Sequence, residues 1–249
     1  MIQLNKIYNE NCLEGMLRIP DNFVDSIICD LPYGTTACSW DEIIPFDELW
    51  TQYRRVIKPN GAIVLFGAEP FSTKLRMSNF KEYRYDWYWV KNNVTGFTFA
   101  KSQPMRKVET ISVFSKGTAN YYPQGLEPVR QLKGKVRHEY EESIVDSASL
   151  SNKEYFQEFT GFPSNVLRFD REAKWNFHPT QKPVDLLEYL VKTYTREGEV
   201  VLDNCMGSGT TAIACLNTDR QFIGFEMNKK YYDQSLDRIK YNQTQLSLF

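Results

Sequence analysis

Apolar runs and regularly spaced apolar stripes alternate along both ends of the chain and fade between them. Asp25–Cys29 (DSIIC) and Gly61–Phe66 (GAIVLF) are short, nearly unbroken apolar runs, the pattern of strands covered on both faces. Between them Phe46, Leu49, Trp50, Tyr53, Val56 and Ile57 recur at helical spacing, and two more strands are predicted at Tyr85–Val90 and Thr110–Ser115. The C-terminal stretch repeats this grammar. Val184, Leu187, Val191 and Tyr194 mark one face of a helix beginning after Pro183, and Glu199–Leu202 is a strand ending at Asp203. Thr210–Leu216 reads as a helix and Gln221–Phe225 as a strand ending at Glu226; Tyr232, Leu236 and Ile239 mark a final amphipathic helix. This order predicts an α/β fold: a doubly wound, mostly parallel sheet with helices on both faces.

The middle fits neither period. Roughly Lys116–Arg171 is rich in Gly, Pro, Gln, Ser and Tyr, which predicts an irregular insertion in a single domain spanning 1–249. The expected parts are a first half over 1–115, the insertion over 116–172 and a second half over 173–249.

Composition narrows the picture. The 249 residues carry 30 Lys plus Arg against 31 Asp plus Glu, so the net charge of -1 excludes a polycation that coats nucleic acid or membrane. Locally the charge is segregated. Residues 101–138 hold Lys101, Arg106, Lys107, Lys116, Arg130, Lys133, Lys135 and Arg137 against Glu109 and Glu127, whereas 139–159 hold six acids against Lys153. The basic limb is either a solvated face or a surface that meets phosphates. Five cysteines without CxxC spacing and two histidines argue against a disulfide framework and a metal site. Without a signal-like start or an apolar run long enough to span a bilayer, a cytoplasmic protein with no membrane partner is expected.

Candidate chemistry lies at the strand ends. In VVLDNCMGSGTT (Val200–Thr211), a strand ends in a carboxylate, and Gly207 and Gly209 then let backbone approach a ligand before a helix opens at Thr210. The spacing is neither GxGxxG nor a GK[ST] phosphate loop, which disfavours a dinucleotide or a nucleoside triphosphate. Glu226, at the tip of the next strand, is placed to accept hydrogen bonds from ribose hydroxyls. A nucleoside-bearing ligand without pyrophosphate fits, of which S-adenosylmethionine is the common one. HPTQKP (His178–Pro183) stiffens a helix entry that Thr180 can cap, and Lys182 offers a cation for a ligand carboxylate. After the first strand, Asp30-Leu31-Pro32-Tyr33-Gly34 presents a carboxylate, backbone carbonyls and an aromatic face. Asp30 and the Leu31 carbonyl could each accept an N–H of an exocyclic amine, with Tyr33 flat against a base removed from its stack.

Together DLPYG, HPTQKP and DNCMGSGTT resemble the amino-group DNA methyltransferases, in the motif order of their beta class. Cys12–Met16, Phe66–Phe71, Trp89–Asn92 and Thr110–Lys116 resemble further segments of the family, so the likeness covers about 1–117 and 174–240. It implies a Rossmann-like methyltransferase that uses S-adenosylmethionine and DNA. Asp30, Leu31, Pro32 and Tyr33 would hold the target base. Asp203, Met206, Gly207, Ser208, Gly209 and Thr210 would line the cofactor pocket, which Asp30 borders. Glu226 would hold the cofactor ribose, Thr180 and Lys182 would lie near its methionine end, and Asn11 and Cys12 near its adenine. The insertion would be the target recognition region, with Lys101, Arg106, Lys107, Arg130, Lys133, Lys135 and Arg137 on DNA. The pattern departs from the family at Leu31, where a backbone carbonyl does the work, and at Asn11, where Asp is usual.

Asp30 favours adenine, since amino-cytosine members usually carry Ser there. An N4-cytosine enzyme, an RNA or protein methyltransferase and an inactive DNA-binding homologue are the alternatives. A dehydrogenase is disfavoured by the glycine spacing. A homodimer and a restriction endonuclease partner are both compatible with the resemblance.

Overall fold

The computed structural model describes residues 2–35, 41–133, 155–170 and 181–246. The chain runs β1 (Lys6–Tyr8), α1 (Cys12–Met16), β2 (Val24–Cys29), α2 (Phe46–Val56), β3 (Ile57–Gly67), α3 (Phe71–Ser78), β4 (Tyr83–Thr95) and β5 (Arg106–Phe114). It continues through β6 (Glu127–Lys133), β7 (Tyr155–Thr160), β8 (Val166–Arg168), α4 (Val184–Tyr194), β9 (Val200–Asp203), α5 (Thr210–Asn217), β10 (Gln221–Phe225) and α6 (Lys229–Leu246).

Eight strands form one sheet in the order β1-β10-β9-β2-β3-β5-β4-β8. Among the described residues β5 alone is reversed, pairing antiparallel with both β3 and β4; every other pairing is parallel. The period of two in the apolar runs sorts side chains onto two faces. Ile28, Val64 and Phe66 join Trp87, Trp89, Ile111 and Val113 in a core covered by α4 and α5. Ile27, Cys29, Ile63 and Leu65 join Leu202 and Phe225 in a second core, covered by Trp50 and Tyr53 of α2 and Phe71 and Leu75 of α3. The doubly wound, mostly parallel sheet expected from the sequence is therefore present.

Several elements escape the periodic reading. β1 is a three-residue edge strand, too short for a pattern to emerge. β4 and β5 run past their apolar cores into Thr95 and Arg106, so the two form a longer hairpin than their apolar cores suggest. Pro183 occupies the N-cap position of α4 and gives no side-chain cap bond. Thr180, expected in the capping role, lies outside the described residues, as do Lys135 and Arg137.

The chain divides into two compact units, one running through Tyr122 and resuming at Asn165, the other Pro123–Ser164. The smaller unit holds the antiparallel pair β6–β7, whose register shifts between Pro128 and Gln131. Arg130 sits inside that shift with φ +47°, a backbone state that a non-glycine residue enters at some cost. β8 belongs to the larger unit and extends its sheet beside β4. Among the described residues no helix is long and apolar enough to cross a membrane.

Candidate active site

Parallel neighbours end on the same edge, so the sheet gathers residues from both ends of the sequence. β2 and β9 are adjacent through Ser26↔Val201 and Ile27↔Leu202, and Asp25 Oδ2 accepts the Val200 N–H at 2.9 Å between them. Their connections leave in opposite directions, β2 toward β3 and β9 toward β10, and such a switch point opens a crevice beyond the strand ends. A cavity of about 590 Å³ lies there, lined by Asn11, Asp30, Tyr33, Asp203, Gly207 and Glu226 among others. Leu31, Pro32, Cys12, Lys182, Met206, Ser208 and Thr210 line the same cavity.

On the β9–β10 side the walls are acids and bent backbone. Glu226 accepts N–H bonds from Gly207 at 2.8 Å and Asn228 at 2.7 Å, and burial pushes its carboxyl up. Each of its oxygens keeps lone-pair capacity for a ligand hydroxyl. Gly207 has φ +53°, and a Cβ there would meet only the Cys205 oxygen at 3.9 Å. Gly209, with φ +77°, backs onto α6 so closely that a Cβ would stand 3.1 Å from Ser235 Cβ. Arg238 of α6 fastens the same turn, donating to the Ser208 carbonyl at 3.1 Å and to Thr210 Oγ1 at 2.7 Å. Asn11 caps α1 by accepting the Leu13 N–H at 2.8 Å. The Cys12 thiol, beside Cys205 and Asn204, is held below its ordinary range mainly by its hydrogen bond to Cys205.

Asp203 is buried, and no ion pair reaches it among the described residues. It accepts the Cys205 N–H at 3.0 Å and the Thr211 hydroxyl at 2.6 Å, yet burial pushes its carboxyl up to about 6. The native state therefore holds this proton at pH values where an unfolded chain has released it, and stability falls as pH rises from about 4 through about 6. Asp203→Asn should accordingly gain stability relative to the native chain at pH 7.5, by at most about 3 kcal/mol, and lose that advantage at pH 4. Melting temperatures of both proteins at the two pH values check this; a variant equally destabilised at both would refute it.

On the β2 side four charges alternate. Asp30 Oδ2 takes Lys182 Nζ at 2.5 Å and its Oδ1 accepts the Tyr33 hydroxyl at 2.7 Å. Lys182 lies 3.7 Å from Glu109 Oε2, and Lys91 donates to Glu109 Oε1 at 2.9 Å. Period two accounts for the deeper pair: Lys91 follows Trp87 and Trp89 along one face of β4, and Glu109 precedes Ile111 and Val113 on the matching face of β5. Lys91 and Lys182 are both buried, a state that charges tolerate only when paired. Burial raises the Asp30 carboxyl, Lys182 and the Tyr33 bond oppose it, and burial beside Asp30 holds the Tyr33 phenol well above its usual range. The Tyr33 ring stacks on Phe71 with centroids 4.9 Å apart.

The loop after Asp30 is shaped by Asp41. Its Oδ1 accepts the N–H of Tyr33 at 2.7 Å and of Gly34 at 2.9 Å, and its Oδ2 that of Thr35 at 2.9 Å. Gly34, with φ +64°, lets the chain turn there; a Cβ would stand 2.9 Å from Ile43.

Of the residues expected to hold base or cofactor, all but Gly209, which backs onto α6, and Thr180, which lies outside the described residues, thus share one cavity, with Lys182 on Asp30. Lys101, Arg106 and Lys107 fall on the β4–β5 hairpin, and Arg106 reaches the cavity wall. Arg130 and Lys133 fall on β6. Pattern reading missed Glu109, Lys91, Asp41 and Arg238. Period two could have found the first pair, since each extends an apolar face; the other two act through partners with no local signature.

These features define a doubly wound α/β protein with a ligand crevice at its switch point. Residues 24–237 match the N6/N4 methyltransferase model, described as DNA methylase, and the chain belongs to that family. The type II methyltransferase M1.MboII of Moraxella bovis is 28% identical over 258 residues, covering 94% of this chain and 96% of that protein. Among solved structures, the M1.HpyAVI–SAM complex has a TM-score of 0.62 at 24% identity, covering 96% of this chain and 99% of that one. The PvuII DNA methyltransferase, cytosine-N4-specific, has a TM-score of 0.66 at 16% identity, covering 98% and 93%. Both share the fold.

Proposed function

We propose that this protein transfers a methyl group from S-adenosylmethionine to the N6 amine of adenine in DNA. The observation that carries the reading is a single cavity joining Asp30 and Tyr33 to Asp203, Gly207 and Glu226 in a DNA methylase. The residues fit the cofactor: Glu226 retains acceptor capacity for ribose hydroxyls, and open space beyond Gly207 leaves room for a close approach. Asn11 and Cys12 serve its adenine end, and Met206, Ser208 and Thr210 the wall between, with Gly209 forming the turn behind them. When bound, S-adenosylmethionine supplies a methyl group already activated on a sulfonium, so the protein's task is positioning.

Asp30 accepts one N–H of the target amine and the Leu31 carbonyl the other, which orients the nitrogen; Pro32 stiffens the loop and Tyr33 packs against the base. Burial raises the Asp30 carboxyl, and Lys182 opposes that rise by pairing with the ionised form, the form that accepts the N–H. Asp30, where amino-cytosine enzymes of the family usually carry Ser, favours adenine. Lys101, Arg106 and Lys107, with Arg130, Lys133, Lys135 and Arg137 in the insertion, meet phosphates of the recognised site. The similarity to type II methyltransferases favours a modification enzyme that works beside a restriction endonuclease.

The purified protein should transfer labelled methyl to DNA. Digestion to nucleosides and mass analysis should give N6-methyladenine, and sequencing the modified positions gives the site. N4-methylcytosine would replace the adenine reading, and label in RNA or protein alone would remove DNA as the substrate.

A further inference from the structure

The β4–β5 hairpin leaves the sheet at the cavity and carries a tip that the chemistry above does not use. Lys91, Thr95, Arg106, Val108 and Glu109 line the cavity, so the hairpin stem is part of its wall. Directly after Thr95 the chain turns at Gly96, φ +93°, into one turn of 3-10 helix, Phe97–Phe99. The tip is built: the Phe99 N–H bonds to the Gly96 carbonyl at 3.0 Å, Ala100 to Phe97 at 3.0 Å, and both Ser102 and Gln103 to Phe99, at 2.9 and 3.0 Å. This hydrogen-bonded turn nevertheless turns its apolar rings outward. Phe97 is 81% exposed and Phe99 55%, with Val94 and Val108 also exposed beside them. The same hairpin carries the exposed cations Lys101, Arg106 and Lys107, and Arg106 Nε lies 3.8 Å from where a Cβ on Gly96 would stand.

Rigid outward aromatics flanked by cations, at the mouth of a cavity sized for a base and a cofactor, match one kind of occupant. A protein partner would want the apolar patch without the cations. A nucleic acid wants both, rings for the base stack and cations for the phosphates. We propose that Phe97, backed by Phe99, enters the stack of duplex DNA beside the target nucleotide and fills the space that nucleotide leaves as it turns into the cavity. This rests on the methyltransferase reading above and assigns the work of opening the duplex to the hairpin tip, not to the base pocket.

An apolar wedge matters only while the target base is paired and stacked, and that gives the test. Native protein, Phe97→Ala and Phe99→Ala are compared on two duplexes carrying the mapped site, one intact and one with an abasic position opposite the target. Melting temperatures should be unchanged, because both rings are exposed. On the intact duplex kcat/KM for DNA should fall about tenfold or more for Phe97→Ala and less for Phe99→Ala, as expected for a lost base–aromatic contact. The abasic duplex should restore Phe97→Ala to within about twofold of native protein on that same substrate, and Phe97→Leu should retain part of the intact-duplex activity. Unchanged turnover on the intact duplex, or an equal loss on both, overturns the wedge while leaving the methyltransferase reading intact. Native protein inactive on both duplexes overturns that reading, and the wedge with it.

Discussion

Asp30→Ala should lower kcat for methyl transfer by about 10²–10⁴-fold, the range for losing a positioned proton-accepting group. Affinity for S-adenosylmethionine should stay within the tenfold that about 1.4 kcal/mol represents, because Glu226, Asp203 and the glycine turn stand on other strands. Loss of the carboxylate also takes from buried Lys182 its nearer partner, leaving Glu109 at 3.7 Å. Some stability should go with it, but less than the ~3–5 kcal/mol of a buried charge left wholly alone. Asp30→Ala combined with Lys182→Met separates the two effects. The double variant should regain stability and remain inactive, whereas transfer restored along with stability would make Asp30 a structural residue. Asp30→Asn, which keeps an acceptor oxygen but loses the charge, should fall between.

Asp41→Ala should be nearly as damaging, although Asp41 needs no contact with base or cofactor. A carboxylate accepting three successive backbone N–H groups holds the Tyr33–Thr35 loop in one shape. Hydrogen bonds to a charged group contribute about 1.5–3 kcal/mol each and do not add fully, so a loss of about 2–4 kcal/mol in stability is expected. A loop free to sample other shapes misplaces the Leu31 carbonyl and the Tyr33 ring, and about a hundredfold loss in kcat follows from such misplacement. Asp41→Asn tests the geometry, since its single oxygen can serve Tyr33 and Gly34 while its amide opposes the Thr35 N–H. Partial rescue by Asn in both kcat and melting temperature is expected. Native kcat in Asp41→Ala would show that the loop holds itself.

The sheet was legible because its central strands are continuous apolar runs: Ile27 and Ile28, or Ile63 to Phe66, serve one core with alternate residues and the other with the rest. The strand-end acids Asp203 and Glu226 and the Asp30 loop were legible for a related reason, since punctuation after an apolar run marks its exit. Lys91 and Glu109 carried only the faint mark of period two beside their apolar faces. Glu109 reads along the chain as a stray acid in a basic limb, and only its register beside Trp89 turns it inward. Arg238 looks like an ordinary helix charge until α6 packs on the glycine turn. Arg238, like Asp41, acts through partners that leave no local mark. Nor does the hairpin tip, whose rings would be assigned to a core by composition alone.

The narrow seam between β2 and β9 has a consequence for the order of events as the chain is made. Asp30 and Asp203 become neighbours through a pairing of residues some 175 positions apart, Asp25 with Val200. Contacts of such separation form late, after local helices and hairpins, because a long loop must first be closed. The first strands can assemble on the ribosome with the base loop already in place, yet the crevice has no opposite wall until β9 arrives. The shared crevice is therefore acquired in one step, when β9 pairs with β2, and a chain that lacks β9 has no wall opposite Asp30.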